Sequence, residues 1–272
     1  MIRIETGTGW LLVEHREHAR LAGRFASHWG NDAFAPPEPR ADILVAVARH
    51  DDAWAGRDAL PFLTREGRPS AFSTELVGRY SAFEEMDFAD YLAVRGQAAE
   101  TVAAANPYAA IIISMHTVDL LTAQADLSGF SEADLELHRR FIGRQRRRQG
   151  ELALELGGRP EYAEAVAPAR LLRAFEFLQA CDSLSLATCV RYPKPVALRH
   201  THPRTSGIPA ALECTPMGGD TYRITPYPFD ADELVLEAPV RRVPGRTFDD
   251  EASFRAAYAA APVERLTVRT VR

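Results

Sequence analysis

Residues 41–54 read ADILVAVARHDDAW, a nearly uninterrupted apolar run that ends in a histidine, two aspartates and a tryptophan. The pattern alone allows a buried parallel strand or a buried helix. Length, and the alanines at 41, 46 and 48, favour the helix. On a helix, positions three, four and seven apart share a face. His50 then shares a face with Ile43, Ala46 and Val47, and Asp51 with Leu44 and Val47. Ionisable groups on a core face need partners elsewhere in the chain.

The same face test finds three more such residues. His18 lies with Leu21, Ala22 and Phe25, and His116 follows the run Ile111-Ile112-Ile113-Ser114-Met115. Asp182 lies in the middle of a stripe made by Phe175, Leu178, Leu186 and Cys189. An isolated buried carboxylate costs on the order of several kcal/mol, so it needs a cation, strong hydrogen bonds or a raised pKa. Lysine is a poor candidate partner, because Lys194 is the only one in the chain. Arginine is one available cation and a divalent metal is another. Mixed imidazole and carboxylate donors suit Mn, Fe, Zn, Co or Ni better than Ca or Mg alone. His15 stands three residues before His18 and competes with it as a ligand; the more apolar neighbours of His18 favour the latter.

The chain has 272 residues, 46% hydrophobic and 25% charged, with a formal net charge of −5. That suits a globular protein with a substantial core and gives no global reason to bind nucleic acid or an anionic membrane. The three cysteines, Cys181, Cys189 and Cys214, form no C-x-x-C pair and read as reduced, buried thiols. The opening MIRIETGTGWLLV lacks the basic segment and long apolar run of a signal peptide, and no apolar run approaches a membrane span. The expected setting is the cytoplasm.

Alternation at Ile2 and Ile4, a Thr6-Gly7-Thr8-Gly9 turn and apolar Trp10 to Val13 predict a β-hairpin. Helices are expected over about 14–29, from 41, over 83–105, from Pro107, from Ser131 to about Leu156, and over 168–190. Residues 56–75 read as irregular. Prolines 193, 195, 203 and 209 mark a connector that holds His200 and His202 as loop residues. Strands follow at ALECT, TYRIT, ELVLEAPV and VERLTVRTV, with a short helix over 249–261. The expected fold class is mainly α (α+β). Residues 1–190 form a helical core with the N-terminal hairpin. Residues 191–272 form a small antiparallel β-rich part packed on that core, which the hairpin joins.

The ordered set His18, His50-Asp51, Asp182 resembles the HD superfamily of metal-dependent phosphohydrolases, whose signature is H…HD…D on a helical core. More narrowly, the chain is similar to an uncharacterised bacterial family within that superfamily. The resemblance rests on EHARLAGRFASHWG, ARHDDAW, NPYAAIIISMHT and LQACDSLSL and spans roughly residues 1–190. It departs at Ala53, where many members of the narrower family carry Gly.

The resemblance implies one or two divalent ions (Mn, Fe, Zn, Ni, Co or Mg) held by His18, His50, Asp51 and Asp182. His116 would complete a second metal site or hydrogen-bond the substrate. Asp52 would orient the metal-activated water or support His50. Arg20, Arg24 and Arg49 are candidates for holding phosphate oxygens. The implied activity is hydrolysis of a small phosphate ester, nucleotide or phosphodiester. A non-catalytic metal-binding or small-molecule-sensing scaffold is the alternative, with a di-iron oxygenase behind it. The expected partner is the small phosphate-containing substrate, with no nucleic acid and no membrane, and a homo-oligomer is allowed. The six arginines of RRFIGRQRRRQ, residues 139–149, read as a solvated helix face that also exposes His138.

Overall fold

The computed structural model describes residues 1–77 and 87–272. The N-terminal hairpin forms as its alternation predicts: β1 (Ile2–Glu5) pairs antiparallel with β2 (Gly9–Val13). Helix α1 (His15–Ser27) follows, then α2 (Arg40–Arg49), which settles ADILVAVAR as a helix. A 3-10 turn, Asp52–Trp54, leads into the short α3 (Ala55–Ala59). Helix α4 (Phe88–Ala103) covers most of the helix expected over 83–105; positions 83–86 of that expectation lie outside the described residues.

Asn106 caps α5 (Pro107–Asp119) by accepting from the Ala109 N–H at 2.8 Å. A π-helical turn, Leu120–Gln124, extends it. Ser131 and Asp134 form a capping box at the start of α6 (Glu132–Gly157). Helix α7 (Pro168–Cys189) starts on Pro168, whose missing N–H costs nothing in a first turn.

The chain then enters β3 (Val196–His202), β4 (Ala210–Gly218), β5 (Thr221–Thr225) and β6 (Glu233–Pro244). It closes with α8 (Glu251–Ala260) and β7 (Val263–Val271). The sheet runs β1-β2-β6-β7-β5-β4-β3 and is mixed, because β5 and β7 are parallel.

This corrects the expected mainly α class. About 49% of the structure is helical and 22% strand, and the seven strands curl into a half-barrel, an α/β fold. Two physical facts enlarge the sheet. The proline-flanked segment at 196–202 pairs with β4 despite its irregularity, so His200 and His202 are strand residues rather than loop residues. And β6, twelve residues long and alternating from Glu233 to Val240, reaches back to pair with β2.

One hydrophobic cluster joins helices to sheet, from Ile2 and Phe25 through Ile112 and Leu178 to Leu236 and Val268. Helix α7 is its spine, touching α1, α2 and α5 and also β1, β3 and β7. A second cluster seats Phe254 and Tyr258 of α8 on Trp10, Leu12 and Val243. The cysteines are buried and unpaired. His138, expected to be exposed, is buried, with Nε2 2.7 Å from the Leu121 carbonyl at the π turn. Among the described residues no helix is long and apolar enough to cross a membrane.

The α1 and α2 backbones approach at Gly23, where an added Cβ would lie 2.6 Å from the Cβ of Ala48. Gly to Ala normally stabilises a helix interior by about 1 kcal/mol. Here Gly23→Ala is expected to destabilise by about 1–3 kcal/mol, because neither backbone can yield without moving its helix. Urea denaturation checks this; an unchanged or raised midpoint refutes the close-contact reading.

Candidate metal centre

Four elements deliver ionisable side chains to one place. Helix α1 supplies His18, the C-terminus of α2 supplies His50 and Asp51, α5 supplies His116, and α7 supplies Asp182. All five are buried. His50 is the C-cap of α2, and its Nδ1 donates to the Val47 carbonyl at 2.8 Å, satisfying an acceptor of the last turn. Asp51 then leaves helical geometry, with φ −115° and ψ 16°. Asp51 and Asp52 therefore diverge.

The donor atoms interlock. His18 Nε2 lies 3.1 Å from Asp51 Oδ2 and 3.8 Å from Asp182 Oδ1. His50 Nε2 lies 3.3 Å from Asp182 Oδ1 and 3.8 Å from Asp51 Oδ2. Two triads result, His18–His50–Asp51 and His50–His116–Asp182, each with ligand atoms within 4.8 Å of one another. They share His50, whose ring meets those of His18 and His116 edge-on at 5.2 and 5.3 Å.

Supporting contacts orient these donors. Ser185 gives its hydroxyl proton to the His18 carbonyl at 2.7 Å, so its oxygen accepts from His18 Nδ1 at 3.3 Å. Both His18 and His50 thereby turn Nε2 toward the carboxylates. Arg95 NH1 donates to Asp51 Oδ1 at 2.8 Å, leaving Oδ2 for the imidazoles. Arg95 is itself fixed by its Nε bond to the Tyr91 hydroxyl at 2.9 Å and by the Trp54 ring 5.1 Å away.

The electrostatics favour a cation. Burial alone would raise the carboxyl pKa of Asp51, but Arg95, His50 and His18 hold it well below the usual range. Burial likewise works against ionised Asp182, and His50 chiefly brings it down to about 2. Burial pulls the His50 imidazole down, yet Asp51 and Asp182 outweigh it and raise it to about 9. His116 has too little compensation, and burial drops it to about 4. Two ionised carboxylates thus draw positive charge into the space between the rings, and in the bare protein a proton on His50 answers part of that demand.

The residues fit a divalent ion. The buried His116 Nδ1 has no hydrogen-bond partner, and His50 Nε2 makes no well-aligned hydrogen bond although Asp182 Oδ1 lies 3.3 Å away. Three imidazoles and two carboxylates are a first-row transition-metal donor set. Donors about 2.0–2.2 Å from an ion stand roughly 3.0–3.5 Å apart around it, near the 3.1 and 3.3 Å separations already present.

The cluster opens into a cavity of about 480 Å³, where His18, Asp51, His116 and Asp182 meet apolar walls such as Phe62, Phe72 and Leu186. Asp52 is not part of this lining. Its Oδ2 accepts from Arg49 Nε at 2.6 Å instead. Arg20 bonds to Glu17 and Arg24 to the Glu237 carbonyl, so none of the three arginines expected to hold phosphate lines the cavity. His15 does line it, but contacts Asp58 at 3.0 Å, stacks on Trp54 at 4.6 Å and joins neither triad.

Arg95 is a functional residue that the histidines and aspartates of the sequence do not point to. Its position on a stripe with Tyr91, Leu92, Ala98 and Val102 would have exposed it.

Arg95→Ala leaves Asp51 Oδ1 buried without its cation and is expected to cost about 3–5 kcal/mol. Arg95→Lys retains the charge but loses the planar fork, and is expected to fall between. Denaturant midpoints of the two variants decide it; an Arg95→Ala protein as stable as the parent would contradict the pairing.

A family model described as Protein of unknown function (DUF3891) matches residues 1–245. No curated protein and no solved structure matches the chain significantly. The matched region contains all five converging side chains and most of the chain, so the protein belongs to the DUF3891 family.

Proposed function

We propose that the protein is a metal-dependent phosphohydrolase or phosphodiesterase acting on a small phosphate ester or nucleotide. The observation that carries this reading is the convergence of His18, His50, Asp51, His116 and Asp182, all but His50 lining a cavity of about 480 Å³. The H…HD…D order supports placing the family within the HD superfamily. A divalent ion bound there would act as a Lewis acid on a phosphoryl oxygen and lower the pKa of nearby water.

The chain's own residues have separate tasks in this reading. His18, His50, Asp51 and Asp182 hold the ion, and His116 extends the set toward a second one. Ser185 and the Val47 carbonyl set the tautomers of His18 and His50. Arg95 keeps Asp51 ionised and fixes which oxygen it presents. Asp52, tied to Arg49, has no part.

Nucleic acid is not assigned as a partner. Arg139, Arg140 and Arg148 of the basic helix are occupied by Glu132, Glu136 and Glu100, as on a solvated face. Buried, unpaired cysteines suit a reducing compartment, and we assign the cytoplasm.

Protein purified without chelator is expected to carry a divalent ion, Mn, Fe, Zn, Ni, Co or Mg, and to hydrolyse members of a phosphomonoester and phosphodiester panel. His50→Ala and Asp182→Asn are expected to lose the ion and a hundredfold or more of turnover, exceeding the ~10–100-fold typical of supporting residues. Metal analysis by mass spectrometry and the panel decide together. Absence of any bound ion overturns the reading. Bound metal without turnover favours the non-catalytic scaffold, and an iron-specific spectrum favours an oxygenase.

A further inference from the structure

A second polar pole lies in the same cavity. Asp119 stands three residues after His116, at the end of α5. Its Oδ2 accepts from Gln179 Nε2 at 2.7 Å and from Gln124 Nε2 at 2.8 Å, and Arg199 NH1 lies 3.1 Å from it. Gln179 is one helical turn before Asp182 on α7, and His200 Nε2, 2.5 Å from its Oε1, holds the amide with its NH2 toward Asp119. Gln124, Gln179 and Arg199 line the cavity together with His116 and Asp182. By helix geometry the two poles are about one to two turns apart, roughly 5–10 Å.

Two backbone irregularities build this pole. The π turn Leu120–Gln124 brings the Gln124 side chain back onto Asp119. In β3 the register against β4 shifts between Ala197 and Thr201, and His200 takes φ +66°. Bulges of this kind re-aim side chains, and a non-glycine residue in left-handed geometry stores strain that its surroundings must hold. Arg199 sits inside the bulge.

Arg199 differs from the other arginines of the cavity. Arg95 is used by Asp51 and Tyr91, and Arg3 donates to the Pro69 carbonyl. Arg57 pairs with Asp90, a surface carboxylate 63% exposed. Arg199 is held through NH1 by a carboxylate that two amides immobilise, and its side chain is 32% exposed. Two amide donors and the Arg199 guanidinium share one Asp119 oxygen, which spreads that carboxylate's charge over three partners. A planar fork of this kind matches a carboxylate.

Resting on the hydrolase reading of the site, we propose that Arg199 is a specificity-determining residue: it binds a carboxylate on the alcohol portion of the substrate, so that preferred substrates are phosphate esters with a second anionic group. The metal cluster takes the phosphoryl end and the Arg199–Asp119–Gln179 network takes the other.

The test uses the metal-loaded full chain and the ratio between two probes. Calorimetry compares phenylphosphonate with its 3- and 4-carboxy derivatives, and turnover compares the corresponding phenyl phosphates. At least one carboxylated probe is expected to be preferred tenfold or more. Arg199→Gln should reduce that preference to within twofold, and Arg199→Lys should keep part of it. Equal affinities in the parent, a preference that survives Arg199→Gln, or no phosphonate binding overturns the proposal. A preference seen in binding and lost in Arg199→Gln, without turnover of any ester, upholds it while refuting hydrolysis. Turnover without preference does the reverse.

Discussion

Asp51 is held, buried, between a guanidinium and two imidazoles. Its Oδ1 belongs to Arg95 and its Oδ2 to the space between His18 and His50. Every element near the centre is placed by this demand for charge balance. Helix α4 brings the arginine, α1 and α2 bring the imidazoles, and α7 brings a second carboxylate that a single cation on Asp51 does not neutralise. Buried groups of one sign exact several kcal/mol unless matched, so the cluster forms only when these helices are in register. The Gly23–Ala48 approach contributes by bringing α1 and α2 backbones close enough for His18 and His50 to meet edge-on.

The sheet has a different task. It is a platform on which α7 rests, and through β3 it forms part of the cavity wall. One helix thus serves three purposes. It packs on strands, presents Asp182 to the histidine cluster, and one turn earlier places Gln179 in the network around Asp119. The cavity thus has the histidine–aspartate cluster at one stretch and the Asp119 network at another, with further polar residues such as Arg3, His15 and Asp58 along its wall.

Much of this was legible in the sequence because it is local. A carboxylate in the middle of an apolar stripe, as at Asp182, is visible from helical spacing alone. So are the Asn106 and Ser131 caps and the glycine turn of the hairpin. That the hairpin joins the C-terminal strands was expected, but which strand it meets was not, because β2 pairs with β6 across more than two hundred residues and no local pattern encodes that. Strand β3 was hidden by its bulge, where His200 breaks the alternation on which strand reading depends. The divergence of Asp51 and Asp52 was equally hidden. It follows from dihedral angles at the end of α2, and adjacent identical residues give no sign of which one turns inward. Arg95 was legible in principle, since an arginine on a buried helical face raises the same question as an aspartate.

The pairing of β2 with β6 also sets an order of events during synthesis. Strand β2 precedes His18 by only a few residues, yet its hydrogen-bonding edge stays open until residues 233–244 have emerged. Helices α1 to α7 can collapse earlier, but the sheet beneath them closes late, a topology of long sequence separation that folds slowly. The five converging side chains are all translated before the strand that completes this sheet.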